Sequence, residues 1–198
     1  MMQQMDFTMR SWKKYNSSIY KVIAFISCLF IPVSLFAQGI EIQRASSELV
    51  EDVYLLEARI NFAFDKEVID ALEHGVALHI DVIVRLKKMR DWWWDTTVKQ
   101  EILRFKLEFQ PLSNHYLVTN TATGDRQQLQ SLEQALLILG TINKHTFFHK
   151  NLLDKQASYL GLIRARLNIE SLPPPLRPVA YISKQWQLKS PWYKWSIR

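Results

Sequence analysis

The sequence is poor in cysteine and glycine, and each shortage narrows the possible functions. Cys28 is the single cysteine among 198 residues, and it lies in an apolar N-terminal run. Once that run is removed, the chain has neither a disulfide nor a thiol nucleophile. The five glycines form no phosphate-binding loop and no G-x-S-x-G nucleophile elbow. We therefore expect a protein that is not an enzyme and that uses no cofactor.

A strong excess of charge of one sign is also missing once the N-terminus is set aside. The chain has 25 basic and 19 acidic residues, of which residues 1–37 contain four and one. The remaining 161 residues therefore carry 21 basic and 18 acidic side chains. No nucleic-acid-binding motif accompanies this small excess, so nucleic acid is not an expected partner. A chain of this length is enough for one domain with its own core.

Residues 1–37 have the three-part order of a bacterial export signal. Basic residues come first, an uncharged apolar run over residues 22–37 follows, and the small residue Ala37 ends it. The predicted cleavage lies between Ala37 and Gln38, although Leu35 departs from the small residue preferred three positions before the cut. The alternative is an uncleaved anchor. The domain over residues 38–198 is thus expected in the periplasm, either soluble after cleavage or tethered to the inner membrane by residues 22–37.

Alternating apolar and polar residues predict a mainly β domain. Two short helices are also predicted, one from Asp65 to about His74 and one from Ser131 to Gly140. The tail after Pro178 is expected to be extended. We predict an antiparallel β-sandwich of seven or eight strands, with an open α+β sheet as the alternative. The predicted strands cover residues 40–48, 53–64, 78–88, 97–109, 116–120, 126–129, 145–149 and 159–169.

The most unusual motif is the tryptophan triplet Trp92, Trp93 and Trp94, flanked by Asp91 and Asp95. Three adjacent large aromatic side chains cannot all be buried on one face of a strand. One interpretation is a bulky plug that closes an end of the sandwich. The other is a contact platform for a partner protein, a glycan or the membrane interface.

A group of basic residues forms the second candidate site. Arg85 and Lys87 share the outward face of one predicted strand, and Arg104 and Lys106 share that of the next. The group is either a solvated surface with Asp81, Glu101 and Glu108 interspersed, or a surface that attracts anionic lipid or an envelope polymer.

Other combinations of polar residues give weaker signals. His79 and Asp81 share a strand face, and His145 and His149 are four residues apart, but the segment between the latter two is typical of a strand or loop. A zinc site is therefore not expected. Acidic pairs such as Asp91 with Asp95, or Glu101 with Glu108, have the chemistry of a glycosidase but no motif that requires it.

Seven short segments of the chain carry a family resemblance: residues 39–42, 53–56, 92–95, 116–120, 132–136, 164–167 and 172–178. Together they resemble the bacterial family called domain of unknown function 4390. The resemblance covers about residues 39–195 and implies an exported protein of Gram-negative bacteria without an established activity or catalytic residues. It also implies an accessory role beside a membrane protein such as a sensor kinase. We therefore expect a non-catalytic protein-interaction module, with a glycan- or anionic-lipid-binding envelope protein as the alternative.

N-terminal sequencing of the protein from cell fractions tests the export prediction. The expected result is a mature chain that begins at Gln38, because Ala37 provides the small residue before the cut. Recovery of an intact N-terminus from the membrane fraction would contradict cleavage and support the anchor.

Overall fold

The computed structural model describes residues 39–89, 96–154 and 156–197. They belong to one compact unit, Ala37–Arg198, and contain nine strands and three α-helices. The strands are β1 (Gly39–Val50), β2 (Val53–Ala63), β3 (Leu78–Lys88), β4 (Thr96–Gln110), β5 (His115–Asn120), β6 (Arg126–Leu129), β7 (Thr141–His149), β8 (Tyr159–Leu167) and β9 (Tyr193–Ile197). The helices are α1 (Lys66–Glu73), α2 (Leu132–Leu139) and α3 (Arg177–Ile182).

The strands form two antiparallel sheets. One has the order β1-β2-β7 and the other the order β6-β5-β4-β3-β8-β9. The chain crosses between the sheets through α1, through α2 and through a 3-10 turn at Lys150–Leu152. The predicted β-sandwich is therefore confirmed, with one or two strands and one helix more than the sequence indicated.

The core lies between the two sheets because alternate residues of each strand face inward. From β2 it takes Leu56 and Ile60, and from β3 it takes Ile80, Val82 and Leu86, all of which are buried. The polar residues between them are thereby forced to the outer faces. A slip of one residue would exchange the two sets, so this burial fixes the register.

Helix α3 corrects the expectation that the tail is extended. Pro174 begins a 3-10 turn, Pro174–Leu176, and Pro178 lies in the first turn of α3. Proline lacks an amide hydrogen, but the first turn of a helix does not use that donor, so proline at this position starts a helix instead of breaking one. Ala180 of α3 is completely buried.

The end of the tail closes one edge of the larger sheet. Strand β9 pairs with β8, and Trp195 packs so closely over Gly161 that an added Cβ would lie 2.2 Å from its ring. The indole nitrogen of Trp195 donates a hydrogen bond of 3.0 Å to Ser47 Oγ on the other sheet. Trp195 therefore joins the two layers at this edge.

No helix within the described ranges has the length and apolar character needed to cross a bilayer.

Gly140, which ends α2, lies close against the backbone of β2 and gives a stability prediction. An added Cβ would lie 2.0 Å from the Ile60 carbonyl oxygen, and that backbone is fixed because the Ile60 amide donates to the Gly140 carbonyl at 2.8 Å. Gly140→Ala is expected to lower the free energy of unfolding by about 2–4 kcal/mol. In urea titrations, the control Leu137→Ala, on the exposed side of the same helix, should change it by less than about 1 kcal/mol. Equal effects would contradict the packing described.

Candidate functional site: the cationic face of the six-stranded sheet

Strand pairing collects basic side chains on the outer face of the larger sheet. Asp81 pairs with Arg104 on one side and with Arg166 on the other, so these three residues share a face. Residues of the opposite parity, such as Trp195, contact the smaller sheet, so this face points away from it. We call the group the cationic face; it comprises Arg85, Lys87, Arg104, Lys106, Arg164, Arg166 and Lys194.

The cationic face contains all four basic residues that were predicted from the sequence as a candidate site. Arg85 and Lys87 lie on β3, and Arg104 and Lys106 lie on the adjacent strand β4. Their placement on one face of neighbouring strands is as predicted.

Glu101, by contrast, was assigned to the wrong face. It pairs with Val84, which is buried in the core, so its side chain points toward the smaller sheet. There Glu101 Oε1 lies 2.8 Å from His145 Nε2. Glu101 and Glu108 therefore lie on opposite sides of β4 and cannot converge on one substrate, which removes that acidic pair as a glycosidase site.

A buried carboxylate organises the centre of the cationic face. Asp81 is only 3% exposed. Its Oδ2 accepts hydrogen bonds from Arg166 Nη2 at 3.2 Å and from Asn168 Nδ2 at 3.3 Å, while Arg104 Nε lies 3.8 Å from Oδ1. The side chains of Arg104 and Arg166 are 62% and 47% exposed. Asp81 therefore anchors two guanidinium groups whose outer edges remain open to a ligand.

An aromatic ring holds two further arginines. The guanidinium carbons of Arg85 and Arg164 lie 4.7 Å and 4.4 Å from the ring centre of Trp192. Such cation–π contacts restrict the arginine side chains without neutralising them. Ile83 and Leu162 lie on the same face and are nonetheless buried.

Few acidic groups balance this charge. On β3, β4, β8 and β9 the acidic residues of the same face are Asp81 and Glu108, and Glu108 lies 2.7 Å from Lys106. Of the exposed large hydrophobic side chains among the described residues, Met89 follows directly after β3, and the others lie outside β3, β4, β8 and β9. The cationic face therefore presents positively charged side chains and the ring of Trp192, which suit the binding of an anion and not insertion into lipid.

The pKa of His79 depends on the charges of the cationic face. It pairs directly with Lys106 across β3 and β4. Burial, and next the positive charge of Lys106, lower the pKa of His79 below its ordinary value of 6.5, while Glu108 and Asp81 act in the opposite direction.

A cleft of about 420 Å³ borders the cationic face where β8 ends. Arg166 and Lys189 contribute positive charge to its lining, and Glu170 contributes negative charge. Tyr181 Oη donates to Glu170 Oε1 at 3.4 Å. The cleft is therefore of mixed polarity and extends the basic surface only at Arg166.

The other residue combinations considered in the sequence either lie apart in the structure or fall outside the described residues. Among the residues that the structure describes, no three His, Cys, Asp or Glu side chains are grouped to hold a metal ion. His145 and His149 lie on strand β7, and His149 is exposed. The tryptophan triplet Trp92–Trp94 with Asp91 and Asp95, and the predicted cleavage site at Ala37 and Gln38, lie outside the described residues.

Three of the seven basic residues of the cationic face, Arg164, Arg166 and Lys194, were not predicted from the sequence. Arg164 and Arg166 have the alternation of an outward strand face, but their distance along the chain from β3 concealed that β8 is its neighbour. Trp192 precedes β9, and its ring lies on the opposite face of the sheet from the ring of Trp195. The available signal was the parity of these residues, which is informative only once the strand order is known.

A family model described as "Domain of unknown function (DUF4390)" matches residues 37–196. No curated protein and no solved structure matches the chain. The matched range contains the whole of the cationic face.

The pKa of His79 gives a direct test of the charge on this face. Lys106→Gln should raise that pKa toward 6.5 without fully restoring it, because burial is the larger cause and remains. In the wild type, the unfolded chain binds the proton first as the pH falls below 6.5, so this group's contribution lowers stability on acidification.

The measurement is an NMR titration of the His79 ring, with urea unfolding at pH 7.5 and 5 as the second readout. Lys106→Gln should reduce the loss of stability on acidification that His79 causes. Lys144→Gln, on the other sheet, is the matched control and should leave His79 unchanged. An unaltered pKa in Lys106→Gln would disprove the electrostatic coupling.

Proposed function

Because this chain belongs to the DUF4390 family, a domain of unknown function, we propose its function from its own surfaces. The domain is an exported, non-catalytic interaction module, and its cationic face binds an acidic surface of a protein partner in the envelope. The single observation that carries this proposal is that seven basic side chains share one sheet face with two acidic ones, Asp81 and Glu108.

The preorganisation of the arginines supports a binding role. Asp81 holds Arg104 and Arg166, and Trp192 holds Arg85 and Arg164. Side chains already fixed in place lose less conformational entropy when they bind. Planar guanidinium groups also match carboxylates with paired hydrogen bonds. Acidic residues of a protein therefore fit this surface better than a diffuse charge does.

The composition of the surface favours a protein over a bilayer for the cationic face. Arginine and tryptophan dominate the energetic centres of protein interfaces. Stable lipid contact requires apolar side chains that enter the membrane, and β3, β4, β8 and β9 themselves carry no exposed large hydrophobic residue among the described residues. A membrane sensor kinase with an acidic periplasmic surface is the proposed type of partner. Anionic glycan or lipid is the alternative ligand.

Partner capture with two charge-reversal variants tests the proposal. Lys87→Glu with Lys194→Glu alters the cationic face but spares the partners of Asp81. Arg44→Glu with Arg59→Glu makes the same change in net charge on the smaller sheet, where the two residues pair and are exposed. Envelopes are crosslinked, and the captured proteins are quantified by mass spectrometry.

The expected result is a protein with an acidic periplasmic surface that the wild type and the Arg44/Arg59 variant capture equally. The Lys87/Lys194 variant should capture roughly thirtyfold less, since two lost contacts of about 1 kcal/mol each weaken binding by about 2 kcal/mol. Identical capture by both variants would refute the protein partner. If the Lys87/Lys194 variant loses co-sedimentation with peptidoglycan or anionic vesicles but captures the same proteins as the wild type, the alternative ligand is favoured.

A further inference from the structure

A second surface, which adjoins the cationic face at the cleft lined by both Arg166 and Tyr181, is mainly apolar. Leu112 in the β4–β5 turn is fully exposed, and the exposed fractions of Val179, Tyr181 and Ile182 on α3 are 48%, 53% and 83%. We call these four residues the apolar end. They include the two large hydrophobic side chains with the highest exposed fractions among the described residues.

The outward side of α3 consists of large hydrophobic side chains, of which Tyr181 also has a hydroxyl that donates to Glu170. Ala180 is completely buried and fixes the inward direction of the helix. Because successive residues are rotated by about 100°, Val179 and Tyr181 flank the buried side, and Ile182 points away from the core. A helix surrounded by water carries polar residues in those positions. The residues of α3 are instead those of a helix in contact with an apolar phase.

The position of α3 follows from the strand pairing. Strand β8 ends at Leu167 beside Ile80, near the start of β3, and α3 follows it. After α3, the Trp186 indole nitrogen donates a hydrogen bond of 2.8 Å to Glu67 on α1. Helix α1 joins the end of β2 to the start of β3. Helices α3 and α1 therefore lie at the same end of the sandwich.

Two further features lie at this end. Gln110 pairs with His115, so the turn that carries Leu112 extends beyond the start of β3. Gly39, the first described residue, pairs with Ala63 at the end of β2. The segment before Gly39 includes the uncharged apolar run of residues 22–37. The described chain therefore begins at the same end as Leu112 and α3.

We propose that the apolar end contacts the phospholipid surface of a membrane. Ile182, Tyr181 and Leu112 enter the interfacial layer, and the exposed Lys184 and Lys189, which follow α3, face anionic headgroups. The contact fixes the orientation of the domain, whether residues 22–37 anchor the chain or have been removed. The cationic face then stands beside the membrane, open to the periplasmic part of a membrane protein. This role is additional to the proposed protein partner.

Site-specific fluorescence quenching tests the proposal on the full 198-residue chain. In a Cys28→Ser background, a single label is attached at Ile182→Cys or Leu112→Cys. Matched control labels are attached at Val50→Cys and Leu152→Cys, which are also exposed hydrophobic positions but lie where β1 ends and just after β7. The vesicles contain phosphatidylethanolamine, phosphatidylglycerol and a lipid with a nitroxide quencher near its headgroup.

The expected result is at least roughly twofold quenching at Ile182 and Leu112, with little at Val50 and Leu152. Equal quenching at both ends, or quenching at neither, would overturn the proposal. An Ile182 label that is already shielded from water without vesicles would also overturn it, because the chain itself would then cover α3. The vesicles contain no protein, so the outcome is independent of whether the cationic face has a protein partner.

Discussion

Burial of one face of the six-stranded sheet beneath the three-stranded sheet fixes the direction of every side chain on β3, β4 and β8. Ile80, Val82 and Leu86 can enter the core only in one register, and that register sends Asp81 and Arg85 outward. A polar face is then a necessary consequence of an apolar one. The positive charge of this face is a property of the sequence that the packing brings together.

Asp81 shows how the same packing controls the cationic face. A carboxylate that is 3% exposed is costly unless it is paired, and here two arginines and Asn168 surround it. The pairing holds Arg104 and Arg166 at fixed positions, although their outer edges stay in water. The apolar end is organised differently, because Val179, Tyr181 and Ile182 are exposed without any such partner in the core. Charge on one side and apolar side chains at one end give the domain two surfaces of distinct chemistry.

The alternation within single strands was sufficient to predict β2, β3 and β8 closely. It also identified Arg85, Lys87, Arg104 and Lys106 as one group, because β3 and β4 follow each other in the chain and pair. It could not supply Arg164 and Arg166, since the pairing of β8 with β3 is a long-range choice made by the whole core. Helix α3 was missed because proline usually ends a helix, whereas here it begins one.

Lysine acetylation in intact envelopes tests the central claim that the cationic face is occupied by a partner. Reaction rates are measured by mass spectrometry for the protein in its envelope and after purification. If a partner covers the cationic face, Lys87, Lys106 and Lys194 react more slowly in the envelope than in the purified protein. Lys66 and Lys144, which lie on other surfaces, react at the same rate in the two preparations. Unchanged rates on the cationic face, with protection of Lys144 instead, would contradict the account.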